Sequence, residues 1–346
     1  MEIQLSIITP CYNGEEFIGT AIESFIRQKN PAVELIVVDD GSTDATGSIC
    51  QKYADANIHY IRTENKGAGH ARNVGMKEAK GRWIAYLDAD DLLLSGSMDG
   101  DFMEKMSTYG SKDVDILCTP KLRTDMELKT PVEITRPDDV QPIKNHIPAM
   151  EFWACIYDKD FLLDNQIFFY EYKQQDIETA FRYLTFSMAK KIEINDDMKF
   201  YLQRNNLSSN THTWNHYNLY RIKALVYFDL YMRTVCEEDK HFLWSTALEY
   251  VFEYYKLSFE HGIYSEDGLK EMHQLWKKVK KESSNVKCSL EDEESMKRIG
   301  QLDIRRIFWK GKKAKSPEVT SEKNPEVVQS EILERLEKVS KELLGK

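Results

Sequence analysis

The stretch that decides the fold is Trp83–Asp91, W-I-A-Y-L-D-A-D-D. An apolar run from Trp83 to Leu87 stops abruptly, and three carboxylates follow within four residues. A short, continuous apolar run of this kind reads as a strand buried on both faces. Acids gathered at the end of such a strand repel one another and resist burial, so something must hold them there.

Working outward, the same grammar recurs upstream. Leu5–Thr9 (LSIIT), Leu35–Val38 (LIVV) and Ile58–Arg62 (IHYIR) read as strands. Between them lie helical stretches at 15–29, where Phe17, Ile18, Ala21, Ile22, Phe25 and Ile26 share a face, at Asp44–Ala56, with Asp44 as its cap, and at Ala68–Ala79. Alternation of strand and helix predicts an α/β fold with a mostly parallel sheet and right-handed crossovers. In such sheets ligands bind beyond the carboxyl ends of the strands. Four strand ends carry ligand-type residues: Pro10-Cys-Tyr12-Asn13-Gly14, Asp39-Asp40-Gly41-Ser42, Asn65-Lys66-Gly67 with Arg72-Asn73, and Asp88-Ala89-Asp90-Asp91. All four should face one edge.

At that edge, Asp88 and Asp90, one residue apart, can aim at one hard divalent cation, Mg²⁺ or Mn²⁺, which commonly bridges carboxylates to substrate phosphates. Ordinary turn and cap chemistry explains a single such Asp; three acids in four residues favour function. Gly41 suits a tight turn, and an acid beside it can accept hydrogen bonds from a base or ribose. Tyr12 offers a ring face for a nucleobase, although a packed Tyr is commoner. Arg72, on a helix face of small residues (Ala68, Ala71, Gly75, Ala79), and Lys66 are cations within reach of a diphosphate or of the neighbouring acids. A dinucleotide site is disfavoured: Gly67-Ala-Gly69-His-Ala-Arg72 sits on the third unit and lacks the third glycine, and the first turn, TPCYNGEE, has no G-x-G-x-x-G.

In order and spacing, P-C-Y-N, V-V-D-D-G-S-T-D, N-K-G-A-G-H-A-R-N-V-G and Y-L-D-A-D-D resemble the family 2 glycosyltransferases, which have the GT-A fold. The match is dense over about residues 3–95 and thin to about 212. In the thin part F-W-A-C-I-Y-D-K-D-F-L-L-D-N-Q-I-F-F resembles an acceptor-side segment that includes Trp153. Q-Q-D-I-E-T-A-F-R-Y resembles E-D-x-x-x-x-x-R, and Y-L-Q-R-N-N-L-S-S-N-T-H, with Arg204, resembles a closing Y-x-x-R-x-x-x-x-S motif.

The resemblance implies that Pro10, Tyr12, Asn13, Asp40, Lys66, Arg72, Asp88 and Ala89 bind a nucleotide-diphospho-sugar. It makes Asp90 the metal ligand (Mn²⁺ or Mg²⁺) and Asp176 the general base, with Trp153 and Arg204 toward the acceptor. Gln175 stands where relatives commonly have Glu. The implied activity is inverting transfer from a nucleotide sugar, UDP favoured, to a hydroxyl of a glycan or lipid-linked acceptor. The alternative is an inactive GT-A-like binding module acting through interactions. A nucleotidyltransferase shares the acidic edge but carries a Gly-rich basic loop after its first strand, which TPCYNGEE is not.

Elsewhere the sequence is less regular. Val114–Cys118 reads as a strand, 120–147 as a loop holding four of the nine prolines, Phe152–Leu163 and Asp176–Met188 as helices, and Lys191–Leu202 as strands. From 216 the spacing of Leu, Val, Phe, Tyr and Trp predicts helices at 217–236, 241–261 and 265–282. The expected division is a GT-A domain at 1–215, a helical appendage at 216–310, a linker at 311–326 and an amphipathic C-terminal helix at 327–346. In that last helix Ile332, Leu336, Val339 and Leu343 repeat at helical spacing, to dock on this chain or on a homodimer partner.

The 346 residues carry a net charge of −10, which argues against nucleic acid as a partner. Six scattered cysteines without a C-x-x-C pair suit a reduced cytosol. No run reaches the ~18–20 apolar residues of a membrane span. Arg305–Lys315 (RRIFWKGKKAK), six cations around Ile307, Phe308 and Trp309, suits either a peripheral contact with the inner face of the cell membrane or packing on the acidic body. His212 and His216, four apart, are weak as a metal pair.

Overall fold

The computed structural model describes residues 2–55, 57–136, 151–172, 177–206, 216–234, 236–261, 265–301 and 325–345. Its contacts divide the chain into two compact units. One comprises Met1–Lys173, Phe181–Ser209 and Lys323–Lys346; the other comprises Gln174–Ala180 and Asn210–Glu322.

The first unit is built on a seven-stranded sheet. β1 (Leu5–Cys11) pairs in parallel with both β2 (Val33–Asp39) and β4 (Trp83–Tyr86), and β2 pairs in parallel with β3 (Ile58–Arg62). Every residue of β1, β2 and β4 is buried, which is why these strands lack polar alternation. The crossovers are α1 (Ile18–Ile26), α2 (Thr46–Tyr53) and α3 (Ala68–Glu78). The small-residue face of α3 serves close packing: a Cβ added at Gly75 would lie 2.4 Å from Ile8 Cγ2 on β1. Thus the expected strand–helix alternation holds through the first four strands. One cap does not. Ala45 precedes α2 without a side-chain cap, while Asp44 accepts from Thr46 N (3.0 Å) and from Glu15 N (3.2 Å), fastening two loops instead.

Beyond β4 the expectation fails in two places. The stretch read as a helix at Phe152–Leu163 is a 3₁₀ turn (Phe152–Ala154), a strand and a short helix (Lys159–Asp164). The strand, Cys155–Asp158, runs antiparallel between β4 and Ile116–Cys118, beyond which Ile192–Ile194 closes the sheet. Its four residues are wholly buried, and tertiary pairing overrode helical spacing. The stretch read as a loop contains two strands, Lys121–Asp125 and Glu133–Thr135. They join Leu92–Leu93 and Tyr201–Asn205 in a second, four-stranded sheet. We number the strands β5 (Leu92–Leu93), β6 (Ile116–Cys118), β7 (Lys121–Asp125), β8 (Glu133–Thr135), β9 (Cys155–Asp158), β10 (Ile192–Ile194) and β11 (Tyr201–Asn205).

The C-terminal helix, Pro325–Leu344, packs on this second sheet of its own chain: Ile332, Leu333 and Leu336 join Leu92, Leu94, Leu122, Leu128 and Leu202 in one cluster. The second unit contains helices His216–Arg233, Glu237–His261, Glu266–Glu282 and Leu290–Gln301, the last not foreseen. Trp244 is fully buried within it, its indole N–H donating to Val279 O (3.0 Å). Among the described residues no helix is long and apolar enough to cross a membrane.

Candidate active site

The strand ends meet at the sheet edge, and two acidic pairs dominate it. The first follows β2. Asp39 is fully buried and accepts from Ser42 N (2.7 Å), Tyr60 Oη (2.7 Å) and Arg62 Nη1 (3.0 Å). Burial opposes its ionisation, but the hydrogen bonds from Ser42 and Tyr60 and the Arg62 charge outweigh that, so its carboxyl titrates below the ordinary value. The turn between them is reversed by Gly41 at φ +78°, a conformation open to glycine. Asp40 points to the next loop, where its two oxygens accept the amides of Lys66 (2.9 Å) and Gly67 (2.7 Å). Asp40 therefore sets the loop that opens α3. A carboxylate has about four lone-pair sites, so it keeps acceptor capacity for a ligand. The Lys66 side chain is exposed.

From the end of β1, Pro10 pairs with Val38, and Tyr12 stands 49% exposed, its ring available. Asn13, at φ 48°, is held by Ser42 Oγ on its amide (2.9 Å) and accepts from Thr43 N (2.8 Å). It is thereby a brace for the Asp40 turn.

The second acidic group follows β4. Asp88 accepts from Arg72 Nη2 at 2.7 Å. Arg72 is 3% exposed, and its guanidinium lies over the rings of Phe152 (4.5 Å) and Phe169 (5.1 Å). Such stacking favours Arg over Lys. Asn73 fixes Phe169 by two backbone bonds, 2.8 and 2.9 Å. Asp90 accepts from Asn206 Nδ2 (3.0 Å), yet burial and the neighbouring Asp88 push its carboxyl above the ordinary value. Ala89 separates the two acids and is half-buried. Asp91, the last of the three acids, is a staple: it accepts from Tyr201 Oη and from Arg204 N (2.7 Å). Burial, then the charges of Asp90 and Asp88, hold its carboxyl well above the ordinary range.

Arg204 closes the acidic wall. It is 3% exposed, and its Nε donates to Asp90 O at 2.6 Å. Its buried Nη2 has no hydrogen-bond partner among the described residues. Trp153, 4% exposed, stacks on Tyr201 at 4.6 Å and so reaches the acids through that ring, whereas Arg204 bonds them directly. Tyr201 and Asn206 fall in the closing motif and Phe169 at the end of the acceptor-side segment, but the sequence reading gives none of them a role; each role depends on a pairing made by the second sheet or by the aromatic cluster.

Asp176, Gln175, His212 and Arg305–Lys315 lie outside the described residues, and His216 opens a helix of the second unit. A surface cavity of about 530 Å³ flanks β3 between Ala54, His59 and Lys80 and contains none of the expected site residues.

A parallel-rich α/β sheet with an arginine-braced acidic turn at its carboxyl edge is the architecture of a GT-A-type fold. The fold is shared with S. aureus TarS 1–349, solved in complex with UDP-GlcNAc: TM-score 0.60, 18% identity, 88% of this chain and 89% of that one. Residues 6–119, a third of the chain, match the model described as Glycosyl transferase family 2. Relatives in Bacillus subtilis (strain 168) include the uncharacterized glycosyltransferase EpsJ, 29% identical over 221 residues, covering 60% of this chain and 62% of that protein. Another is the putative teichuronic acid biosynthesis glycosyltransferase TuaG, 33% identical over 140 residues, covering 39% of this chain and 56% of that protein. The chain thus spans less than two thirds of the length of these relatives.

Proposed function

We propose that this chain is an inverting glycosyltransferase that moves a sugar from a nucleotide-diphospho-sugar to a hydroxyl of a glycan or lipid-linked acceptor. The observation that carries the reading is the acidic wall. Asp88 and Asp90 crowd one turn beside Arg72 and Arg204, at the edge where α/β sheets bind ligands. UDP is the favoured nucleotide, since TarS shares the fold and was solved with UDP-GlcNAc. The wall-polymer names among the relatives point to a polysaccharide acceptor.

The donor set fits a hard divalent cation, Mn²⁺ or Mg²⁺. Burial, then the neighbouring Asp88, pushes the Asp90 carboxyl above its ordinary value, which a cation would offset. Among the described residues no three acidic, His or Cys side chains are arranged to hold a metal ion by themselves, so such an ion would take its remaining ligands from phosphates and water. Asp90 would hold it, with Asp88 beside; when bound, it would supply charge neutralisation for the leaving diphosphate.

The chain's own residues do the rest. The Tyr12 ring stacks the base, and Asp40 accepts from base or ribose while fixing the Lys66–Gly67 amides. The unpartnered Nη2 of Arg204 donates to a phosphate oxygen. Asp176 takes the acceptor hydroxyl's proton as that oxygen attacks the anomeric carbon in line, and the nucleoside diphosphate leaves from the opposite face.

The deciding experiment is a panel of nucleotide sugars with Mn²⁺, read by binding and by hydrolysis. Hydrolysis or transfer with one donor supports the reading; binding without turnover for every donor and acceptor supports the inactive module. Asp176→Asn should keep donor binding and lose transfer, and transfer at the wild-type rate would remove Asp176 from the role. For Arg305–Lys315 we infer contact with the anionic inner face of the cell membrane, to be tested by flotation with anionic vesicles.

A further inference from the structure

The C-terminal helix rejoins the first unit although the residues before it, Asn210–Glu322, belong to the second. It is fastened closely. Leu336 is fully buried, and with Ile332 and Leu333 it packs in one cluster with Leu92, Leu94 and Leu202. Polar contacts flank this seam. Ser340 Oγ accepts from Ser95 N (2.8 Å), and Lys199 Nζ donates to Leu343 O (3.2 Å). Arg335 Nη1 donates to Glu127 O (2.9 Å), and Glu337 accepts from Arg27 Nη1 (2.6 Å). Gln329 lies so near α1 that a Cβ at Gly19 would sit 3.2 Å from its amide nitrogen.

The seat of this helix is the sequence neighbour of the acidic wall. Leu92 directly follows Asp91, and Leu202 sits between Tyr201 and Arg204. In the second sheet Leu202 pairs with Leu92, and Tyr201 with Leu93. The same two strands therefore carry the helix seat and the groups that brace Asp90 and Asp91. Asp40 is braced differently: its partners Lys66 and Gly67 belong to the loop after β3, and no described contact of the C-terminal helix reaches them.

We propose that the C-terminal helix is a positioning clamp for the acidic wall, holding β5 and β11 in register so that Asp88 and Asp90 present a preformed cation site. The proposal rests on the donor-site reading above but concerns only its acidic half. Leu336 is then a positioning residue for metal binding and has no contact with donor or acceptor.

The test uses the full chain and two probes, Mn²⁺ alone, followed by its electron paramagnetic resonance, and UDP with and without Mn²⁺, followed by calorimetry. Leu336→Asp buries a charge in the seam and undocks the helix. It should raise the Mn²⁺ concentration for half-saturation by about tenfold, equivalent to ~1.4 kcal/mol. UDP binding without Mn²⁺ should stay within about twofold. A peptide of residues 325–346, added in trans, should restore the wild-type Mn²⁺ dependence, and Leu336→Ile, which keeps the volume, should match wild type.

A merely structural helix predicts another pattern, in which both UDP affinities fall together and the peptide restores neither; that result overturns the clamp. Unchanged Mn²⁺ dependence with the helix undocked, shown by hydrogen exchange at Leu92–Leu94, overturns it too. Should Leu336→Asp fail to fold, Ser340→Ala combined with Arg335→Ala loosens the seam without burying charge. It should raise the Mn²⁺ requirement about threefold, and no rise counts against the clamp. A wild-type chain that binds Mn²⁺ but no nucleotide sinks the donor-site reading and leaves the helix effect readable on the metal alone. A wild-type chain that binds no Mn²⁺ overturns the clamp.

Discussion

Two acidic groups stand at the same sheet edge and are treated oppositely. After β2 the acids are well supplied with donors: three groups converge on Asp39, and two loop amides hold Asp40. After β4, Asp88, Asp90 and Asp91 are crowded; the carboxyls of Asp90 and Asp91 are raised by burial and by acidic neighbours. The first group needs nothing further to be stable. The second leaves Asp90 with one side-chain donor among the described residues, Asn206, beside another acid, a shortage that the proposed cation would offset. Burial alone does not separate Asp39 from Asp90; the supply of donors does.

The largest effect that can break this comparison is at Asp90. Asp90→Asn should lower Mn²⁺-dependent nucleotide binding and transfer by about 10²–10³-fold, the scale of losing one preorganised electrostatic partner. The same change should raise stability at neutral pH. The sign follows from linkage: the folded value of Asp90 lies above its unfolded one, so the folded state binds the proton more tightly. Ionised Asp90 is a destabilising charge at neutral pH, and stability recovers as pH falls through the raised folded value. Thermal melts at pH 7 should therefore place the variant above wild type, and added Mn²⁺ should raise the melting point of wild type alone. A variant less stable than wild type would show that Asp90 is as well satisfied as Asp39.

Next comes Asp39→Ala, with the opposite sign. It leaves the Ser42 amide and the Tyr60 hydroxyl without their acceptor, which should cost about 2–4 kcal/mol in urea unfolding. Because the folded value of Asp39 is depressed, its contribution is complete above the unfolded value of 3.8 and is lost as pH falls through the folded one. The variant's stability should thus be flatter than that of wild type below about pH 4. A wild-type curve equally flat there would remove the contrast.

Tyr201→Phe is smaller. It deletes the hydroxyl that donates to Asp91 and accepts from Asp88 N (3.3 Å), while keeping the ring that stacks on Trp153. A loss of about 1–2 kcal/mol in unfolding is expected, with a modest rise in the Mn²⁺ requirement.

The two groups also differ in how far the sequence displayed them. The Asp39–Ser42 turn, its glycine and the four strands around it are written in contiguous residues, and local pattern suffices for them. The partners of the acidic wall are not contiguous. Tyr201 and Arg204 arrive on β11, more than a hundred positions away, through a second sheet whose β7 and β8 lay hidden in a proline-bearing stretch. β9 read as helix because its four buried residues, flanked by Phe152 and Phe161, mimic helical spacing. The C-terminal seam was plain at its own residues, but whether it docked on this chain or on a second copy was decided by Leu92, Leu122 and Leu202, distant in sequence.

The smallest predicted effect isolates what separation alone contributes. Lys105 Nζ stands 2.9 Å from Asp101 Oδ2, no farther than Arg62 Nη1 stands from Asp39. Yet the Asp101 side chain is 71% exposed where that of Asp39 is 0%. Solvent screens the exposed pair, and holding two long side chains together costs entropy. Asp101→Ala should therefore change stability by less than ~0.5 kcal/mol in urea unfolding, against several for Asp39→Ala. Comparable losses at the two positions would mean that ion-pair distance, rather than burial with converging donors, sets the value of an acid in this fold. The contrast between the two strand ends would then lose its physical basis.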